Sequence, residues 1–245
     1  MDWNIVSFAL QYGCIVIEAM LLIYVAWGRR LKSELTPAFY VGSLLAVDLA
    51  RACVLRLHGL DSRQYYYVYW STDLLLVIAA FLLVCLLFRR ACLHEKKIWG
   101  SVRLSLPFVF ILVTGISGFS FSHNYSQLST RFIVEFNQNL YFACLVLNTL
   151  LYLLLQQIES TDEELGLLVC GVGIQFAGPT ASLALVHLTT GESFAQSLAY
   201  LAMPLCTLGM LVVWAYAIVR VQDRASEVAR QKAPVLAGAT ANSSV

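Results

Sequence analysis

The stretch Tyr65-Tyr66-Tyr67-Val68-Tyr69-Trp70-Ser71-Thr72-Asp73 leads directly into Leu74-Leu75-Leu76-Val77-Ile78-Ala79-Ala80-Phe81-Leu82-Leu83-Val84-Cys85-Leu86-Leu87-Phe88 and stops at Arg89-Arg90. At 1.5 Å of rise per residue, Tyr65 to Phe88 is long enough to cross a hydrocarbon core of about 30 Å. Its aromatic start suits a membrane–water interface and its basic end suits a cytoplasmic face. Asp73 is the exception. A carboxylate at membrane depth costs about 2.5–3.5 kcal/mol on insertion scales, so it calls for a partner or a task.

The rest of the chain repeats the pattern. Of 245 residues, 59% are hydrophobic and 13% charged, against about 25% charged in soluble domains. Lipid can solvate that much apolar surface, whereas water cannot. The net charge of +1 gives no reason to expect a nucleic-acid partner. Seven cysteines without a CxxC pair, most of them inside apolar segments, read as small apolar residues rather than a disulfide framework. The start, Met1-Asp2-Trp3, lacks the basic region of a cleaved signal peptide, so the first apolar segment is expected to be structural.

Seven apolar segments are expected, at about 5–27, 38–57, 65–88, 104–121, 132–156, 165–188 and 195–219. Gly115 and Gly118 in the fourth are small residues of the kind that allow close helix approach, and Pro179 and Pro204 interrupt the last two. Residues 222–245 start basic and end in Ala, Gly, Ser and Thr, the composition of a disordered tail. With the N-terminus outside, the inner loops and tail hold Arg29, Arg30, Lys32, Arg89, Arg90, Lys96, Lys97, Arg103, Arg220, Arg224, Arg230 and Lys232. The outer side holds only Arg56, Arg63 and Arg131. The acidic run Glu159 to Glu164 contributes little to this rule. The expected fold is therefore all-α, a polytopic seven-transmembrane-helix bundle over residues 1–221, N-out and C-in, in the plasma or inner membrane.

This orientation sets depths. Asp48 lies about eleven residues into the second segment, and Arg51 one turn nearer the outside on the same face. Asp73, about eight residues into the third segment, comes to a similar level as Arg51. An Asp48–Arg51–Asp73 cluster is geometrically allowed if the two segments are neighbours, either as a staple between helices or as a polar site. Tyr69 and Trp70 lie deep enough to point inward beside Asp73, whereas Tyr65 and Tyr67 suit the aromatic belt. Glu135 and Gln138, at i and i+3 on the fifth segment, are the best-placed polar pair among Glu135, Asn137, Gln138 and Asn139. Asn148 and Gln175 are deeper and suit interhelical hydrogen bonds. Glu18 lies in the inner half, away from the cluster. The candidate ligand-binding set is Asp48, Arg51, Tyr69, Trp70, Asp73, Glu135 and Gln138.

Several chemistries lack their residues. The four lysines are Lys32, Lys96, Lys97 and Lys232, so the seventh segment offers no attachment point for retinal. The histidines stand singly, and no HExxH, GxSxG or Walker sequence is present. No catalytic set, metal site or cofactor is expected. The Tyr66-to-Asp73 entry to the third segment, with an acidic residue just after Tyr-Trp, resembles that of a bacterial family of seven-helix inner-membrane proteins. The layout is also similar to the seven-helix sensor regions that precede histidine kinases and cyclic-nucleotide cyclases. That resemblance implies a sensory or ligand-binding module which, with only a short tail, acts through a protein partner at its basic inner face. A small transporter or proton-coupled carrier and a structural membrane subunit remain the alternatives.

Overall fold

The structure is a computed structural model that describes residues 3–27, 35–59, 62–93, 96–122, 128–158, 162–188 and 201–220. Each described stretch is helical: α1 (Trp3–Trp27), α2 (Leu35–His58), α3 (Arg63–Ala91), α4 (Lys96–Ser122), α5 (Leu128–Gln157), α6 (Glu163–Leu188) and α7 (Leu201–Arg220). Five of these seven contain stretches long and apolar enough to cross a membrane, in α1, α2, α3, α5 and α7, while the apolar part of α4 is shorter, Val102–Gly118. By length and apolarity the described residues thus give five candidate spans rather than the seven expected. α2 begins at Leu35, so Pro37 lies inside its first turn rather than before it. Proline fits there because the first turn's N–H groups have no intrahelical partner. The tail lies outside the described residues.

The α2–α3 hairpin positions everything that follows. Gly59, at φ +75, ends α2 in the left-handed region that glycine reaches without steric cost, and its N–H donates to the Leu55 carbonyl at 3.0 Å. Ser62 then caps α3. Its Oγ accepts from the Tyr65 N–H at 3.1 Å and its hydroxyl donates to the Gly59 carbonyl at 3.1 Å. A turn closed at both ends fixes the antiparallel register of the two helices, and so sets which residue of α3 faces Arg51.

α3 packs against α2, α4, α5 and α6, and it buries Leu76, Val77, Ala80, Leu83, Val84 and Leu87 along its inner face. On the other side of the core, α6 supplies the close contacts. A Cβ added to Gly171 would lie 2.6 Å from the Trp214 indole, and one on Gly178 would lie 2.9 Å from Cys206 Cβ. Trp214, fully buried on α7, donates its indole N–H to the Leu168 carbonyl at 3.1 Å and meets Tyr40 edge-on at 6.0 Å. Asn148 on α5 donates to the Val169 carbonyl of α6 at 3.1 Å. The glycines expected to permit close approach, Gly115 and Gly118, have nothing within 4 Å of such a Cβ. The reason is their helix: α4 leaves Leu104, Phe108, Ile111 and Ile116 outward, and Gly115 is on the exposed side.

The end of the bundle away from the hairpin is closed by ions. Arg90, at the end of α3, pairs with Asp162 at 3.1 Å and Glu164 at 3.0 Å, and Arg220 pairs with Glu163 at 3.5 Å. Asp162 also accepts from the Leu165 N–H at 3.1 Å, capping α6. The acidic run before α6 is thus a partner for the basic ends of α3 and α7.

Candidate functional site

Arg51 and Asp73 meet across the α2–α3 interface, Nη2 to Oδ1 at 3.3 Å, with side chains 16% and 18% exposed. The guanidinium is held on three more sides. Its Nε donates to Thr72 Oγ1 at 2.9 Å, its Nη2 also donates to the Tyr69 carbonyl at 3.3 Å, and its Cζ lies 4.4 Å from the centre of the Tyr69 ring. Thr72 is free to accept because its own hydroxyl turns back onto the Val68 carbonyl at 2.7 Å. One turn of α3, from Tyr69 to Asp73, therefore wraps a single arginine of α2.

The other oxygen of Asp73 is satisfied from α5. Asn137, 4% exposed, donates its Nδ2 to Asp73 Oδ2 at 2.6 Å. Asp73 thus receives a cation on one oxygen and an amide on the other, the arrangement that makes a carboxylate tolerable in an apolar setting. Asp48, three residues before Arg51, is treated differently. The Arg51 salt bridge runs to Asp73, and no hydrogen bond or salt bridge reaches Asp48 among the described residues.

Asp48 faces a cavity instead. A space of about 230 Å³ is lined by Asp48, Arg51, Tyr69, Asp73, Tyr141 and Gln175, with Gln11 and Cys14 of α1 and Pro204 and Thr207 of α7 closing it. Every described helix except α4 contributes to this wall. A second space of about 250 Å³ shares Gln11, Asp48, Arg51 and Tyr69 with the first and adds Tyr12 and Tyr65. Within these walls the ionisable groups of ordinary charge are two carboxylates and one guanidinium. One turn beyond Cys14 on α1, Glu18 is fully buried, and neither of its oxygens has a hydrogen-bond partner among the described residues.

Of the residues expected at a site, the structure brings Asp48, Arg51, Tyr69 and Asp73 to one cavity. Trp70 does not line it. Its ring packs on Tyr66 at 6.0 Å and Tyr69 at 5.7 Å, behind the wall rather than on it. Gln138 does not line it either, and the side chain of Glu135 lies outside the described residues. Tyr65, expected in the aromatic belt, lines the second space. The α5 residue that reaches the ion pair is Asn137. The signal for it was present: Asn137, Tyr141, Cys144 and Asn148 fall at i, i+4, i+7 and i+11, one helical stripe, and all four are buried. Gln138 sits one residue, about 100°, off that stripe.

Comparison with protein families, with characterised proteins and with solved structures returns no match to this chain.

Proposed function

We propose that the protein is an integral membrane module of seven spans, N-out and C-in, that binds a small polar ligand in the outer half of its bundle and acts through a partner at its basic inner face. The observation that supports this reading is the shared cavity at Asp48, Arg51 and Asp73. A pair whose only task is to staple two helices needs no space beside it, yet here six helices converge on one. The sensory role rests on the similarity of the layout to seven-helix sensor regions.

Thermal unfolding of the purified protein across a chemically varied set of small polar molecules tests the binding claim. At least one class should raise the midpoint in a concentration-dependent way. If no compound moves it, and Asp73→Asn leaves the cellular response unaltered, the reading fails. Topology is tested separately, by labelling single cysteines with an impermeant maleimide in a cysteine-free background. A cysteine at Ser62 should label from outside and one at Arg89 only after permeabilisation.

A second reading, a proton-coupled carrier, is favoured by one specific feature. Glu18 continues the polar path beyond Asp48 with a carboxyl group that no hydrogen bond holds among the described residues. Flux in liposomes that depends on Glu18 and Asp48 would support the carrier over the sensor.

A further inference from the structure

We propose that the cavity beside Asp48 takes a small organic cation, a protonated amine, with the Asp48 carboxylate as its counter-ion and the Gln175 amide oxygen as a second acceptor. This assignment deepens the ligand-binding reading above and rests on it.

The first argument is charge. The cavity holds two carboxylates and one guanidinium, and the guanidinium is already engaged. Asp73, Thr72 and the Tyr69 carbonyl take the Nε and Nη2 donors, and the Tyr69 ring lies against its face. Arg51 and Asp73 therefore cancel as a pair. Asp48 is left as the net charge of the space, with no partner among the described residues. An incoming anion would meet the Asp48 charge and an Arg51 already neutralised by Asp73. A cation meets an unpaired carboxylate at the depth where such a group most needs one.

The second argument is an unused acceptor. Gln175 is 8% exposed, lines the same cavity, and its Oε1 has no counted hydrogen-bond partner among the described residues. The Tyr40 hydroxyl, itself without a counted partner among the described residues, lies beside this amide. Buried amide oxygens are seldom left unpaired. An ammonium has up to three donors and no acceptor, the complement of a carboxylate plus an amide oxygen. The third argument is the wall. Tyr69 and Tyr141 line this space, and Tyr12 and Tyr65 line the adjoining one. Aromatic rings favour the alkyl-ammonium group of an organic cation through their negative faces. An inorganic cation would instead ask for several oxygen ligands.

Titration calorimetry of the full-length protein in detergent micelles, with three probes of one shape, tests the assignment. The probes are n-butylammonium, n-butanol and butyrate. Butylammonium should bind, butanol should bind at least tenfold more weakly, and butyrate not at all. Asp48→Asn should weaken butylammonium tenfold or more. Gln175→Leu, which leaves the charges intact, should weaken it several-fold and serves if Asp48→Asn does not fold. Binding of butylammonium that is equal in wild type and both variants overturns the assignment. So does preferential binding of butyrate or butanol, which would leave the ligand-binding reading standing. If none of the three binds, the cation assignment is overturned. The ligand-binding reading itself falls only if the wider ligand set also leaves the unfolding midpoint unmoved.

Discussion

Replacing Arg51 with methionine tests the ion pair at the cavity directly. Methionine keeps much of the side-chain length but loses four interactions: the salt bridge to Asp73, the donations to Thr72 and the Tyr69 carbonyl, and the contact with the Tyr69 ring. The main cost lies in what stays behind. Asp73, 18% exposed, keeps only the Asn137 amide as a partner. Breaking a fully buried pair costs about 3–5 kcal/mol. Residual exposure to the cavity places this case near the lower end, about 3 kcal/mol. The double variant Arg51→Met/Asp73→Asn should recover part of that loss, because it leaves no carboxylate at position 73 to be stranded. Its coupling energy should be about 1–2 kcal/mol. Equilibrium unfolding by SDS in mixed micelles would measure all four corners of the cycle. A coupling below about 0.5 kcal/mol would show that the pair is screened like a surface one, and the argument that Asp73 depends on Arg51 would be refuted.

Further outcomes follow from the packing. Gly171→Leu drives a side chain into the Trp214 indole, 2.6 Å from the first added atom, and should destabilise by at least about 3 kcal/mol. Gly115→Leu adds a Cβ that meets nothing within 4 Å and should not destabilise in the same unfolding assay, so equal losses at the two positions would refute the packing. Arg90→Ala breaks two partly exposed pairs, to Asp162 and Glu164, and should cost about 1 kcal/mol. That cost should shrink as salt is raised from low concentration to about 1 M, and a loss that ignores salt would show that the network is dry.

The helices were legible because membrane burial leaves a long, coarse signal. The apolar runs that the sequence marks coincide with helices within about four residues at their described ends, except that α4 begins eight residues earlier, at Lys96, and that residues 195–200 of the seventh run lie outside the described residues. The α2–α3 contact was legible for a different reason. Consecutive membrane segments run antiparallel, so counting residues inward from the ends of the two apolar runs brings Arg51 and Asp73 to a similar depth. Interior packing was not legible in this way. Small residues on α4 and α6 look alike as letters, and only the partners decide that Gly171 and Gly178 are crowded while Gly115 is open. The polar start of α5 failed for the same reason, because four consecutive polar residues go round the helix. Asn137 stands out only once the buried stripe through Tyr141, Cys144 and Asn148 is followed. The acidic run before α6 was read for topology, where it is silent, and its pairing with Arg90 depends on which helix ends meet.

The arithmetic of charge at the cavity leads to a last prediction that separates structure from function. A helix staple requires one acid for one base, and Asp73 with Asn137 already supplies it. Asp48 adds a second carboxylate that contributes no hydrogen bond or salt bridge among the described residues. An ionised aspartate at membrane depth carries about 2.5–3.5 kcal/mol of insertion cost, part of which a hydrated cavity offsets. Removing it should therefore stabilise the empty protein. Asp48→Leu is expected to raise unfolding free energy by about 1–2 kcal/mol while abolishing the binding of butylammonium. Stability gained at the expense of binding is what a group held for function produces. A loss of stability of 1 kcal/mol or more in Asp48→Leu would instead show that Asp48 belongs to the staple, and the unpaired carboxylate would lose its claim to a ligand.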